Sequence, residues 1–120
     1  MSGQIALGLD FGTESVRALL VDFHGNERAS SVVKYRHGQI LDRLPTTGEK
    51  LPPDFALQHP ADWIESAATA VQSALQLASA EAKDVAGIGV DFTSCTMLPA
   101  LADGTPLCLT EKFQSEKYAW

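Results

Sequence analysis

The sequence predicts an α/β fold: a meander of strands, one long helix, then a strand returning parallel to the first. Three observations predict it. Apolar runs at residues 5–10 and 16–23 are joined by a link too short for a crossover. An apolar stripe at three- and four-residue steps runs through residues 60–80. Another apolar run, at 85–92, follows that stripe.

The elements read as follows. Ile5-Ala6-Leu7-Gly8-Leu9-Asp10 is a nearly continuous apolar run ending on a charge, which suits a buried strand with Asp10 at its exit. Gly12 breaks the run. The second run ends at His24-Gly25-Asn26, a turn signal. Residues 28–37 alternate between apolar and polar and should form a third strand, so 5–37 is a meander. Residues 38–59 are rich in Gly, Pro and Thr without helical period, and are expected to be a long surface excursion with a functional or lid role. Pro60 suits a first helical position. Trp63, Ala67, Ala70, Val71, Ala74, Leu75 and Ala78 share one face of the helix expected at 60–80. Asp103-Gly104 between apolar stretches predicts a hairpin over 97–109.

Three meandering strands, a helix and a parallel return strand make up the core order of the ribonuclease H-like fold, which actin-type ATPases share. With 120 residues the chain fits one domain at most. Its formal charge of −6 offers no counterion release from phosphates, so nucleic acid is not an expected partner. No run approaches the ~18 apolar residues of a membrane span. Nor does the start, Met1-Ser2-Gly3-Gln4, carry a basic region followed by an apolar core. A soluble, cytoplasmic chain without membrane contact is expected. Cys95 and Cys108 form no Cys-x-x-Cys pattern, and buried free thiols are expected.

Two segments carry candidate chemistry. Asp10-Phe11-Gly12-Thr13 sits between two strands. Backbone N–H groups of a tight turn bind phosphate, and glycine lets the backbone come close. Thr13 adds a hydroxyl, and Asp10 can hold a hydrated Mg²⁺ through its waters. Arg17 can meet a phosphate unless its strand turns it away. The plain alternative is a hairpin in which Gly12 only makes the turn. The motif is neither a Walker loop nor a Gly-x-Gly-x-x-Gly fingerprint. The second segment is Asp91-Phe92-Thr93-Ser94-Cys95-Thr96-Met97, after a parallel strand, where ligands gather in such sheets. Its hydroxyls suit a polyol, or they cap their own turn.

Gly8-Leu9-Asp10-Phe11-Gly12-Thr13-Glu14-Ser15-Val16-Arg17 resembles the opening phosphate motif of the FGGY carbohydrate kinases. Tyr35-Arg36-His37-Gly38, the stretch from Ala56 to Trp63, and Gly87-Ile88-Gly89-Val90-Asp91-Phe92-Thr93-Ser94-Cys95-Thr96-Met97-Leu98-Pro99 are similar to the branch acting on L-ribulose. The resemblance covers essentially the whole chain. It implies phosphorylation of L-ribulose at O5 by ATP with Mg²⁺, in arabinose catabolism. It implies ATP phosphates at Asp10, Gly12, Thr13, Glu14 and Arg17, Mg²⁺ held by Asp10 through water, and sugar near Ser94, Cys95 and Thr96. Gln58-His59-Pro60 is read as structural, at the helix start, with a substrate role as the alternative. Kinases of this family are several times longer and have two domains. The catalytic aspartate, the later phosphate loop and the adenosine pocket are therefore expected downstream of Trp120. Residues 1–120 read as a partial N-terminal kinase domain, the C-terminal domain absent, with no turnover alone. A sheet face left uncovered predicts a homo-oligomer or poor solubility.

Three other readings remain. A ribonuclease H-like nuclease would draw metal ligands from Asp10, Glu65 and Asp91, but the chain is acidic and lacks a basic aromatic patch. A non-catalytic remnant would bind nucleotide or a protein. A sister kinase would act on xylulose, glycerol or gluconate.

Overall fold

A computed structural model describes residues 3–120. Its main sheet has four strands in the order β3-β2-β1-β6. These are β1 (Ile5–Phe11), β2 (Ser15–Asp22), β3 (Glu27–Lys34) and β6 (Val85–Phe92). β1 pairs antiparallel with β2, and β2 with β3, as short turns require. β6 pairs parallel with β1 after the helix α1 (Pro60–Leu77) has crossed over.

The two faces of the sheet differ because side chains alternate along a strand. Ile5, Leu7, Val16, Ala18 and Leu20 are buried on the side that takes α1. Ala70 and Ala74 of α1 are fully buried against them, flanked by Trp63, Ala67, Val71 and Leu75. Alanine on this face lets the helix backbone approach the sheet closely. The opposite side carries Gly8, Asp10, Arg17, Leu19, Gly89 and Asp91 and, among the described residues, has no helix.

α1 starts where Pro60 follows His59, whose Nδ1 accepts a 3.3 Å hydrogen bond from Ala61 N–H. It ends at Leu77, short of the expected residue 80. Ser79 turns left-handed at φ 51, and Ala80 N–H reaches back to Leu75 O.

The stretch 38–59 is more than a surface excursion. β4 (Gln39–Ile40) pairs with β5 (Leu57–Gln58). Ile40, Leu44 and Leu51 are buried with Cys108, Ala119 and Trp120 in a second core. Periodicity fails here because the apolar residues are scattered among Pro and Thr and their partners lie far along the chain.

In place of a 97–109 hairpin there is one bridge, Ala100 to Pro106, and a 3₁₀ turn at Leu107–Leu109. The Asp-Gly turn itself forms, with Leu101 N–H on Thr105 O and Gly104 at φ 90. Pro99 and Pro106 lack the N–H groups a ladder needs, so pairing stops. Cys95 differs too: it is exposed, while Cys108 is buried and its thiol is pushed up by burial.

Candidate active site

The parallel pairing of β1 with β6 fixes the geometry. It sets Asp10 opposite Asp91 and Phe11 opposite Phe92, so both strands end together. The antiparallel pairing with β2 sets Arg17 opposite Asp10. Asp10, Asp91 and Arg17 therefore share the face that α1 leaves open. They line a depression of about 470 Å³ floored by Gly8 and Gly89. A Cβ at Gly89 would meet nothing within 4 Å, so the floor opens on free space. Two like charges side by side favour a cation between them, and a hydrated divalent ion suits two carboxylates.

Gly12, Thr13 and Glu14 form the tip joining β1 to β2. Gly12 N–H donates to Ser15 O at 2.8 Å, so this amide closes the turn and is not available to a phosphate. A Cβ at Gly12 would sit 3.1 Å from Ser15 O, which favours glycine here. The Tyr35 hydroxyl donates to Gly12 O, and Tyr35 N–H donates to Glu14 O. Gly38, at φ 59, gives room to the Glu14 carboxylate, which lies 3.0 Å from where a Cβ would stand.

The turn after β6 starts beside this tip, with Thr93 N–H donating to Phe11 O. The Thr93 and Thr96 hydroxyls are 2.7 Å apart, so part of their bonding capacity closes the turn on itself. Ser94 Oγ lies 3.8 Å from Cys95 Sγ. Cys95 holds φ 80, a strained conformation for a residue with a Cβ. Thr93 and Thr96 line a groove of about 280 Å³ with Phe11, Gly12, Gln58 and Trp63. Cys95 and Thr96 also line a smaller pocket with Gln58, Trp63 and Trp120. Ser94 lines neither.

The structure thus gathers Asp10, Gly12, Thr13, Glu14, Arg17 and the 93–96 turn at one end of the sheet. Glu65 is not with them. It rides on α1, across the sheet from Asp10 and Asp91, so the three metal ligands of a nuclease do not converge.

The sequence reading missed the supports of this end. Asp62 is 2% exposed and accepts from both His37 N–H and His37 Nδ1, each at 2.8 Å. The His37 and His59 rings stack 4.4 Å apart at 13°, and His59 meets Trp120 edge-on. One ligand atom each from His37, His59 and Asp62 falls within 4.8 Å of the others. Stacked imidazoles, however, aim their lone pairs along nearly parallel planes and do not converge on one ion, so the trio packs rather than ligates. Asp62 lies in the first turn of α1, and nothing local in the sequence marks it as buried. Gln58 stands at the helix start, as its place before Pro60 implies. Its side chain bridges Thr13 and Trp63.

This architecture is an actin-like ATPase fold, shared with solved sugar kinases. A xylulose kinase from Brucella ovis superimposes with a TM-score of 0.66 at 24% identity, over 84% of this chain and 19% of that one. A xylulose kinase from Rhodospirillum rubrum gives 0.59 at 25% identity, over 85% of this chain and 19% of that one. No family model matches the chain.

The chain is similar over its whole length to the N-terminal fifth of ribulokinases. Those of Geobacillus thermodenitrificans and Anoxybacillus flavithermus are 50% and 49% identical to it over 120 residues, 100% of this chain and 21% of theirs. That of Halalkalibacterium halodurans is 46% identical, with 100% of this chain and 22% of the relative aligned. The chain therefore spans about a fifth of the length of the curated relatives it matches. Among the described residues, no helix is long and apolar enough to cross a membrane.

Proposed function

We propose that this chain is the N-terminal part of a cytoplasmic carbohydrate kinase that transfers the γ-phosphoryl group of ATP to O5 of L-ribulose, the first domain beginning within residues 1–120. The observation that carries the reading is the Asp10–Asp91–Arg17 face meeting the Thr93–Thr96 turn at the shared end of β1 and β6, in a homologue of ribulokinases.

The residues present fit a magnesium nucleotide. Asp10 and Asp91 offer two carboxylates on one face, and Asp10 would hold the hydrated ion through its waters. Mg²⁺ would neutralise phosphate charge during transfer. Arg17 would meet a phosphate oxygen as a cation beside the carboxylates. Gly12, Thr13 and Glu14 would border the phosphates with backbone and hydroxyl groups, although the Gly12 amide is committed to its turn. Cys95 and Thr96, and Ser94 at the edge, would face the sugar, with small side chains that leave room for a polyol. The left-handed Cys95 supports this, because strained residues gather at binding sites.

A sugar-dependent ADP-release assay on the intact protein tests the reading. L-ribulose should give the highest kcat/KM in a panel with D-xylulose, glycerol and gluconate. Asp10→Ala should lower it by about 100-fold or more, as loss of a charge-stabilising group does. Preference for another acceptor would overturn the substrate. The 120-residue chain by itself should give no turnover.

A further inference from the structure

Gln58 ends β5 and stands immediately before the helix cap His59. Its amide makes two hydrogen bonds that run in opposite directions. Nε2 donates to the carbonyl oxygen of Thr13 at 2.9 Å. Oε1 accepts from Trp63 Nε1 at 3.1 Å. A carbonyl can only accept and an indole N–H can only donate, so the amide has one orientation. Its backbone is held as well, because β5 pairs Gln58 with Gln39 and the next residue caps α1.

Gln58 and Trp63 also line two of the cavities at this end of the sheet, though not the depression that holds Asp10, Arg17 and Asp91. One holds Gly12, Thr93 and Thr96, and the other Cys95 and Thr96. Gln58 therefore touches the tip that joins β1 to β2 and forms the wall facing the turn after β6. The first of these is the proposed phosphate side and the second the proposed sugar side.

We infer that Gln58 is a positioning residue: its amide braces the Thr13 turn against the start of α1 and so sets the distance between phosphoryl donor and sugar hydroxyl. This rests on the kinase reading above. Gln58 need not touch the reacting atoms. Reacting groups must approach to about 3–3.5 Å, and a displacement of ~1 Å can cost about 100-fold in rate.

The test uses Gln58→Leu and Gln58→Glu in the intact protein. Leucine removes both bonds. Glutamate keeps the size and the acceptor for Trp63 but loses the donor to Thr13. Both variants should lose roughly 100-fold in kcat for sugar phosphorylation, with KM for ATP and for sugar within about threefold of wild type. The ratio of ATP hydrolysed to sugar phosphorylated should rise, which a merely less stable protein would not show. Amide hydrogen exchange at Gly12, whose N–H closes this turn on Ser15 O, and at Tyr35, whose N–H donates to Glu14 O, should quicken in both variants while exchange within α1 stays unchanged. Wild-type coupling in a folded Gln58→Glu protein, or unchanged exchange at Gly12 and Tyr35, would overturn the positioning role alone. A wild-type protein that releases no ADP with any sugar would overturn the kinase reading, and the positioning role with it.

Discussion

The Tyr35 hydroxyl donates a 2.9 Å hydrogen bond to the carbonyl oxygen of Gly12 across 23 residues of chain. It thereby ties the loop after β3 to the turn between β1 and β2. Burial, then the negative charges of Asp10 and Asp62, push the phenol up to about 12. Tyr35→Phe keeps the ring and removes the bond. It should cost about 1 kcal/mol in denaturant unfolding at unchanged m-value. In a Tyr118→Phe background, the remaining phenolate absorbance should emerge only near pH 12; emergence near 10 would contradict the burial.

Asp62 accepts two hydrogen bonds from His37 while almost wholly buried. Asp62→Ala strands the His37 N–H groups and should destabilise by roughly 3 kcal/mol. Asp62→Asn keeps one acceptor and should cost less. Equal stability of all three proteins by urea titration would refute the anchoring role.

Burial, then the charge of His37, holds His59 below its ordinary value, while Asp62 and Glu65 pull the other way and Arg36 adds to the lowering. The unfolded chain then binds a proton on this group more readily than the folded one. His59 thus contributes to a loss of stability as pH falls through and below ~6.5, and has no such effect above it. Protonation at Nδ1 would also remove the acceptor for Ala61 N–H. His59→Asn can still cap the helix. Its unfolding free energy should depend less on pH between 7 and 5 than that of wild type, and parallel curves would count against the assignment.

Ala70 and Ala74 are fully buried where α1 meets β2 and β3. There is no space for a longer side chain. Ala70→Leu should cost about 1–3 kcal/mol through overpacking, despite the good helix propensity of leucine. A gain in melting temperature would show the interface to be loose.

β6 is an edge strand, and Ile88, Val90 and Phe92 are 62%, 56% and 68% exposed on it. An uncovered apolar edge invites pairing. The 120-residue chain should self-associate in sedimentation velocity. Val90→Lys with Phe92→Glu should shift it toward monomer; a wild-type monomer would refute this.

Much of the fold was legible in the sequence because the signals were local. The charge at the end of Ile5–Phe11, the alanine stripe from Ala67 to Ala78 and the apolar run at Val85–Phe92 each required their element. The short link after Phe11 required an antiparallel partner. Where the signal depended on distant residues, reading failed. Leu44 and Leu51 looked like loop residues because Cys108 and Trp120, which bury them, lie more than fifty positions away. Asp103-Gly104 made its turn, but the two prolines decided that no ladder would follow.

The same division holds for the site. The sequence by itself determined which groups end the strands: Asp10 with Gly12 and Thr13, and Asp91 with the small hydroxyl residues after it. Alternation along a strand is a local property. Only the tertiary structure decided that Asp10, Asp91 and Arg17 share a face, because strand register is set by pairing between segments as far apart as Asp10 and Asp91. Only it could bring Gln58 to Thr13 and bury Asp62 beneath His37, since a side chain's partner across the fold leaves no mark on its neighbours in sequence.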